Sequence, residues 1–203
     1  MAQVEIADKG SRRTSPAVAS ELLDAALVEF SLHGFAAAST RAIAQRAGWH
    51  QPQINYHFGS KEELWRAAVD HLFAELEAEL GWLDEPAEDP VAALRASLGR
   101  FVAFSARRPE LHRIMSVETT VDGPRLAWIV ERHAGRLFAE VRQGWEAVRA
   151  SGAGSALSSV EAWQMVIGLG ARPFANAPEI LRVTGVAPQV DEQRSLLERL
   201  LGL

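Results

Sequence analysis

The stretch from Ser39 to Lys61, STRAIAQRAGWHQPQINYHFGSK, packs two short helix patterns and a sharp turn into so few residues that it constrains the fold more than any other part of the chain. Ala42, Ile43, Ala44 and Ala47 set an apolar side against Arg41, Gln45 and Arg46, with either Ser39 or Thr40 as N-cap, which predicts an amphipathic helix from Thr40 to Ala47. Gly48 follows, the residue that reaches positive φ at least cost and so turns the chain out of a helix. A second helix is expected from about Gln51 to His57, with Pro52 tolerated in its first turn, where no backbone N–H is needed. Ile54 and Phe58 supply its inner face. Its outer face carries His50, Gln51, Gln53, Asn55, Tyr56 and His57, which are uncharged hydrogen-bonding groups rather than the Lys/Glu mixture of an ordinary solvated helix. Gln and Asn amides can pair with the N6/N7 edge of adenine in the major groove, so the two helices read as a DNA-binding helix-turn-helix. Trp49, in the turn, either packs beneath it or faces a thymine methyl. Ser60 and Glu63 then predict a capping box at the start of a third helix, with Lys61 between them.

At these positions the chain resembles the TetR family of transcriptional regulators, through Thr40, Ile43, Ala44, Ala47 and Gly48, then Tyr56, His57, Phe58, Gly59, Ser60 and Lys61. It departs from the family pattern in carrying Asn55 where many members have Tyr, with Tyr56 one place later, and in the size of Trp49. The resemblance implies an all-α fold, an N-terminal three-helix helix-turn-helix head followed by a C-terminal helical bundle. It also implies His50, Gln51, Gln53 and Asn55 as base-reading residues, and Thr40, Arg41, Tyr56, His57 and Lys61 as phosphate-holding residues. A homodimer would present two such helices to a palindromic site in double-stranded DNA. A small apolar effector bound among the middle helices would release the repressor from that operator.

Composition agrees with one end of the molecule touching phosphate. The net charge is −5, which argues against a general nucleic-acid-coating protein. Yet between Lys9 and Lys61 the cations Lys9, Arg12, Arg13, Arg41, Arg46 and Lys61 outnumber Glu21, Asp24 and Glu29, and an acidic run from Glu75 to Asp89 follows. With no cysteine there is no disulfide framework, thiolate metal site or cysteine nucleophile. No apolar run approaches the roughly 18 residues that span a bilayer, and Met1 to Thr14 lacks the apolar core of a signal peptide, so a cytoplasmic protein with no membrane partner is expected.

Residues 1–15 are polar and aperiodic, a mobile arm in which Arg12 and Arg13 either track phosphate or are simply solvated. Thr14-Ser15-Pro16 opens a first helix with an apolar stripe at Leu23, Leu27 and Phe30, closing at Gly34. The helix from Ser60 to about Leu80 has two apolar rows, Leu64, Ala68, Leu72, Leu76 and Trp65, Val69, Phe73, and two rows need two partners. The resemblance implies a DNA-binding domain at 16–76 and an effector-binding and dimerisation domain at 77–203. Asp89-Pro90 starts the next helix, Arg108-Pro109 a short one, and Pro124 a long one reaching Gly152 with the stripe Leu126, Val130, His133, Leu137, Val141, Trp145 and Val148. The segment from Val160 to Ala171 is apolar almost all round, so it is either a fully buried core helix or, as we prefer, part of a dimer interface with the last helix, through Trp163, Ile167, Leu196 and Leu200.

Six histidines occur without an HExxH motif or a His pair at i, i+4, so no metal or cofactor is expected. His133 lies on an apolar stripe as a core or a pocket residue. The aromatic and polar residues of the middle helices, Phe101, Phe104, His112, Met115, Trp128 and Trp163, are the expected pocket wall. There is no Gly-rich phosphate loop, GxSxG or recognisable carboxylate pair, so no enzyme is expected. Two alternatives share this fold: a DNA-binding dimer without effector control, and a helical small-molecule-binding protein whose head is incidental.

Overall fold

A computed structural model of the chain describes residues 15–81 and 88–203, and the expected N-terminal arm with Arg12 and Arg13 lies outside them. Every regular element among the described residues is a helix. In chain order these are α1 (Ser15–Ala37), α2 (Thr40–Arg46), α3 (Gln51–Phe58), α4 (Lys61–Leu80), α5 (Pro90–Arg107), α6 (Pro109–Glu118) and α7 (Pro124–Ile129). A π-helical turn (Val130–Ala134) leads into α8 (Gly135–Ala150), followed by α9 (Ser159–Gly170), α10 (Arg172–Ala175), α11 (Ala177–Thr184) and α12 (Val190–Leu201).

Local chemistry sets the boundaries. Gly34, at φ 70° and ψ 169°, breaks α1 and redirects Phe35. Ser39 rather than Thr40 caps α2, its Oγ accepting the Ala42 N–H at 3.4 Å. Asp89 accepts the N–H groups of Val91 and Ala92 at 3.0 Å before Pro90 opens α5. At α4 only half of the expected capping box forms, with Ser60 Oγ accepting the Glu63 N–H at 3.1 Å. The complete box stands at α9, where Ser158 and Glu161 satisfy each other's backbone N–H groups at 3.3 and 2.7 Å.

Helix α4 joins the head to the rest. All seven residues of its two apolar rows are buried, and each large one contributes about 1.5–3 kcal/mol by leaving water. Leu64, Trp65 and Ala68 share a core with Leu22, Phe30, Ile43 and Ile54 of the head, and the same core continues through Phe104, Ile114, Ile129 and Leu137. A second core, around Val102, Trp145, Val148 and Leu197, ties α5, α8, α9 and α12 together. The acids of α4 are met by arginines from later helices: Glu62 by Arg125 at 3.5 Å, Asp70 by Arg132 at 3.1 Å, Glu75 by Arg108 at 3.2 Å, Glu77 by Arg136 at 2.8 Å, and Glu79 by Arg107. These acids of α4 thus form a pairing surface, each partly exposed pair contributing about 0–1 kcal/mol.

The long helix expected from Pro124 runs through a π turn, which the sequence pattern does not reveal. The turn admits an extra residue, so the expected stripe slips out of phase and Val130 is left 47% exposed. His133 is turned inward, its ring stacked on Phe73 with centroids 4.3 Å apart and Nε2 2.8 Å from Oδ1 of Asp70. That pair is close without being aligned as a hydrogen bond. Gly135 closes the turn, and a Cβ there would stand 2.8 Å from the Val130 carbonyl oxygen.

Two measurements test this packing. Gly135→Ala should lower the unfolding free energy by about 1–3 kcal/mol in urea titrations, as overpacking does. Burial holds the pKa of His133 below the ordinary histidine value, outweighing the opposing pull of Asp70, and burial followed by the Arg172 charge does the same for His112. The unfolded chain therefore binds more protons near its histidine pKa of about 6.5, and stability falls as pH drops through that value. Urea midpoints should be lower at pH 5.5 than at pH 7.5, and His133→Phe should shrink the difference.

Candidate nucleic-acid interface

The geometry of the head follows from its small buried residues. Ile43, Ala44 and Ile54 are buried, Phe58 packs against the same core, and Gly48 at φ 76° makes the turn. Trp49 packs beneath that turn, half-buried, its Nε1 donating to Oε2 of Glu21 on α1 at 2.9 Å. The eight residues of α3 form a helix whose diameter with side chains, about 10–12 Å, fits the width of the DNA major groove.

The outer surface of α2 and α3 exposes Arg41, His50, Gln51, Asn55 and Tyr56, the last 79% exposed. Gln53 and His57 are half-buried at its edge. Gln51 Nε2 donates to Thr40 Oγ1 at 3.1 Å, joining a base-reading candidate to a phosphate-holding one across the turn. Arg46 is drawn back to Glu29 at 3.4 Å, whereas Arg41 has no partner among the described residues. Lys61 donates to the Ala36 carbonyl at 3.3 Å and lies over the Phe35 ring. Between Glu29 and Glu62 the sequence holds no acidic residue, so nothing on this face repels phosphate.

The back of the head is gripped by Arg125 of α7, whose guanidinium covers the Phe35 ring at 4.1 Å and pairs with Glu118 at 2.9 Å and Glu62 at 3.5 Å. Among the described residues, one group of metal-ligand type comes together, Asp24, His71 and Glu75. The Arg108 guanidinium contacts both carboxylates, which makes the group an ion-pair hub.

Below the head, α4, α5, α6, α8 and α9 enclose a cavity of about 380 Å³. Phe101, His112, Met115 and Trp163 line it. Phe104 and Trp128, expected in the same wall, do not: Phe104 is fully buried in the head-side core, and Trp128 packs on Trp65 and His133 at 5.6 and 5.5 Å. Apolar periodicity identifies a buried face but not which neighbour covers it. Ser105 and Arg108 also line the cavity without any signal in the sequence, and Leu137 lines it from the apolar stripe of its helix. Of the residues expected between subunits, Trp163 and Ile167 face this cavity, Leu196 is half-buried and Leu200 is 42% exposed. Val160, at the start of the apolar α9 segment, and Leu181, Val183 and Val186, outside any expected interface, are exposed apolar side chains.

Residues 22–68 match the family described as bacterial regulatory proteins, tetR family. Over 102 residues the chain is 30% identical to the HTH-type transcriptional repressor NicS of Pseudomonas putida, a match covering 50% of this chain and 48% of the relative. The chain thus spans about half the length of the curated relative it matches. A TetR-like transcriptional regulator from Rhodococcus sp. RHA1 shares the fold at a TM-score of 0.69 and 25% identity, covering 93% of this chain and 96% of that one. AibR, solved in complex with isovaleryl coenzyme A and operator DNA, shares the fold alone at a TM-score of 0.73 and 16% identity, covering 91% and 98%. The head thus matches the tetR family over residues 22–68, and the described helices share their fold with a TetR-like transcriptional regulator.

Proposed function

We propose that the chain is a sequence-specific DNA-binding repressor, with a head at 16–76 and an effector-binding and dimerisation part at 77–203. The observation that carries this reading is the acid-free outer face of α2 and α3, with amide and imidazole groups exposed beside Arg41, which has no partner among the described residues. His50, Gln51, Gln53 and Asn55 read base edges, while Thr40, Arg41, Tyr56, His57 and Lys61 hold phosphates and fix register. Lys61 is within reach of this task by exchanging the Ala36 carbonyl for a phosphate oxygen. The reading places the protein in the cytoplasm with its DNA, and no described helix is long and apolar enough to cross a membrane.

Two copies are needed to present two recognition helices to a palindromic operator. The exposed apolar residues Val160, Leu181, Val183 and Leu200, and the half-buried Leu196, support a homodimer through the body, in which Trp163 and Ile167 of α9 would also take part. The cavity supports control by a small apolar effector, which releases DNA by binding the DNA-free arrangement of the heads more tightly than the bound one. AibR, a structural neighbour, was solved with both a coenzyme A ester and operator DNA.

The test is fluorescence anisotropy with DNA from upstream of the chain's own gene against scrambled DNA, at two salt concentrations. A preference of about 10³-fold or more for one fragment is expected, and equal, strongly salt-dependent binding to every sequence would overturn the proposal. Asn55→Ala should cost about 1–3 kcal/mol, concentrated at one base position. Lys61→Ala should weaken all sequences alike and reduce the salt slope by about 1.

A further inference from the structure

The cavity beneath the head offers a ligand much hydrocarbon and little charge. Its lining contains no acidic residue, so an ammonium group entering it would find no counter-ion. It contains one cation, Arg108, whose terminal nitrogens bond Asp24 at 3.1 and 3.2 Å and whose Nε lies 3.2 Å from Glu75 as a charge contact without an aligned hydrogen bond. A ligand carboxylate there would be the third acid on one arginine. Removing an unpaired charge from water is far costlier than removing a hydrogen-bonding neutral group, so this wall disfavours ligand ions of either sign.

The polar groups that remain are specific in what they offer. Ser105 donates its hydroxyl to the Phe101 carbonyl at 2.9 Å, Ser116 to that of His112 at 2.7 Å and Thr119 to that of Met115 at 2.7 Å, so their oxygens are left mainly as acceptors, while the Ser97 oxygen already accepts from Arg100 at 3.2 Å. His112 differs, because its ring nitrogens have no protein partner among the described residues. Burial and the Arg172 charge keep the ring from taking up a proton, and a neutral imidazole carries one N–H donor and one acceptor nitrogen. Phe101, Met115, Leu137, Trp163 and Ile167 surround it with apolar surface.

We infer that the effector is an uncharged amphiphile, an apolar body carrying one hydroxyl or carbonyl group, and that it sets this group on His112. The inference rests on reading the cavity as the effector site. An incoming hydroxyl can donate to the free imidazole nitrogen, and a carbonyl can accept from the ring N–H. Either gives the half-buried imidazole a partner that the described protein does not supply.

The experiment displaces the neutral fluorophore N-phenyl-1-naphthylamine from the full-length protein at pH 7.5 with 1-decanol, decanoate and decylamine, each below its aggregation threshold. The three share one chain length and differ in the charge of one end. Decanol should compete at least tenfold more tightly than either ion. His112→Phe should reduce its affinity about tenfold, and His112→Gln, which keeps a donor and an acceptor, should largely restore it. Met115→Trp, which fills the cavity, should weaken fluorophore and decanol together, with thermal melts showing that each variant is folded. Decanoate or decylamine equalling decanol would overturn the inference and leave the effector site standing, as would an undiminished decanol affinity in His112→Phe. Failure of all three to displace the fluorophore, or indifference of its binding to Met115→Trp, would overturn the effector site and the inference with it.

Discussion

Helix α4 is the member on which the rest of the structure depends. Its first turns complete the core of the head and its later turns wall the cavity with Phe73, Leu76 and Leu80, so one rigid rod carries both. Its remaining sides carry acids, and five arginines drawn from the α5–α8 region close on them. Apolar burial supplies the adhesion, because partly exposed ion pairs contribute little individually. The ion pairs supply register: sliding α4 by one turn would misalign several partners at once.

This arrangement gives the proposed effector a short route to DNA. An occupant of the cavity touches α4 directly and α6 through His112 and Met115, while α6 meets the bent end of α1, where Val117 approaches Gly34. Arg125 fastens the same corner to Phe35 and Glu62. Head orientation is therefore determined by elements that also form the cavity wall, and differential affinity for two wall arrangements is sufficient to couple the sites.

Much of this was legible in the sequence, where local chemistry decides the outcome. The turn at Gly48, the caps at Ser39, Ser60 and Asp89, and the two rows of α4 are fixed by residues within a few positions of one another. The π turn was not legible, because its cause is tertiary: the inward seat of His133 between Phe73, Trp128 and Asp70. The role of the α4 acids was hidden for a related reason, since their arginine partners lie roughly 28 to 63 positions away in many cases and no periodicity links them. Cavity and core were confused at Phe104 and Trp128 because a gap in packing is a property of several helices together. The apolar pattern of any one helix is the same on either side of it.

The core that begins under the helix-turn-helix does not stop at the end of the head. Phe104, Ile114, Ile129 and Leu137 belong to the same continuous packing as Leu22, Ile43 and Trp65. A fragment ending at residue 76 would carry the whole recognition surface yet leave the underside of Trp65 and Phe35 open to water and Glu62 without Arg125. The head is in this sense not a portable module: grafted onto another body, it would need that body to bring its own aromatic and its own arginine to the same corner.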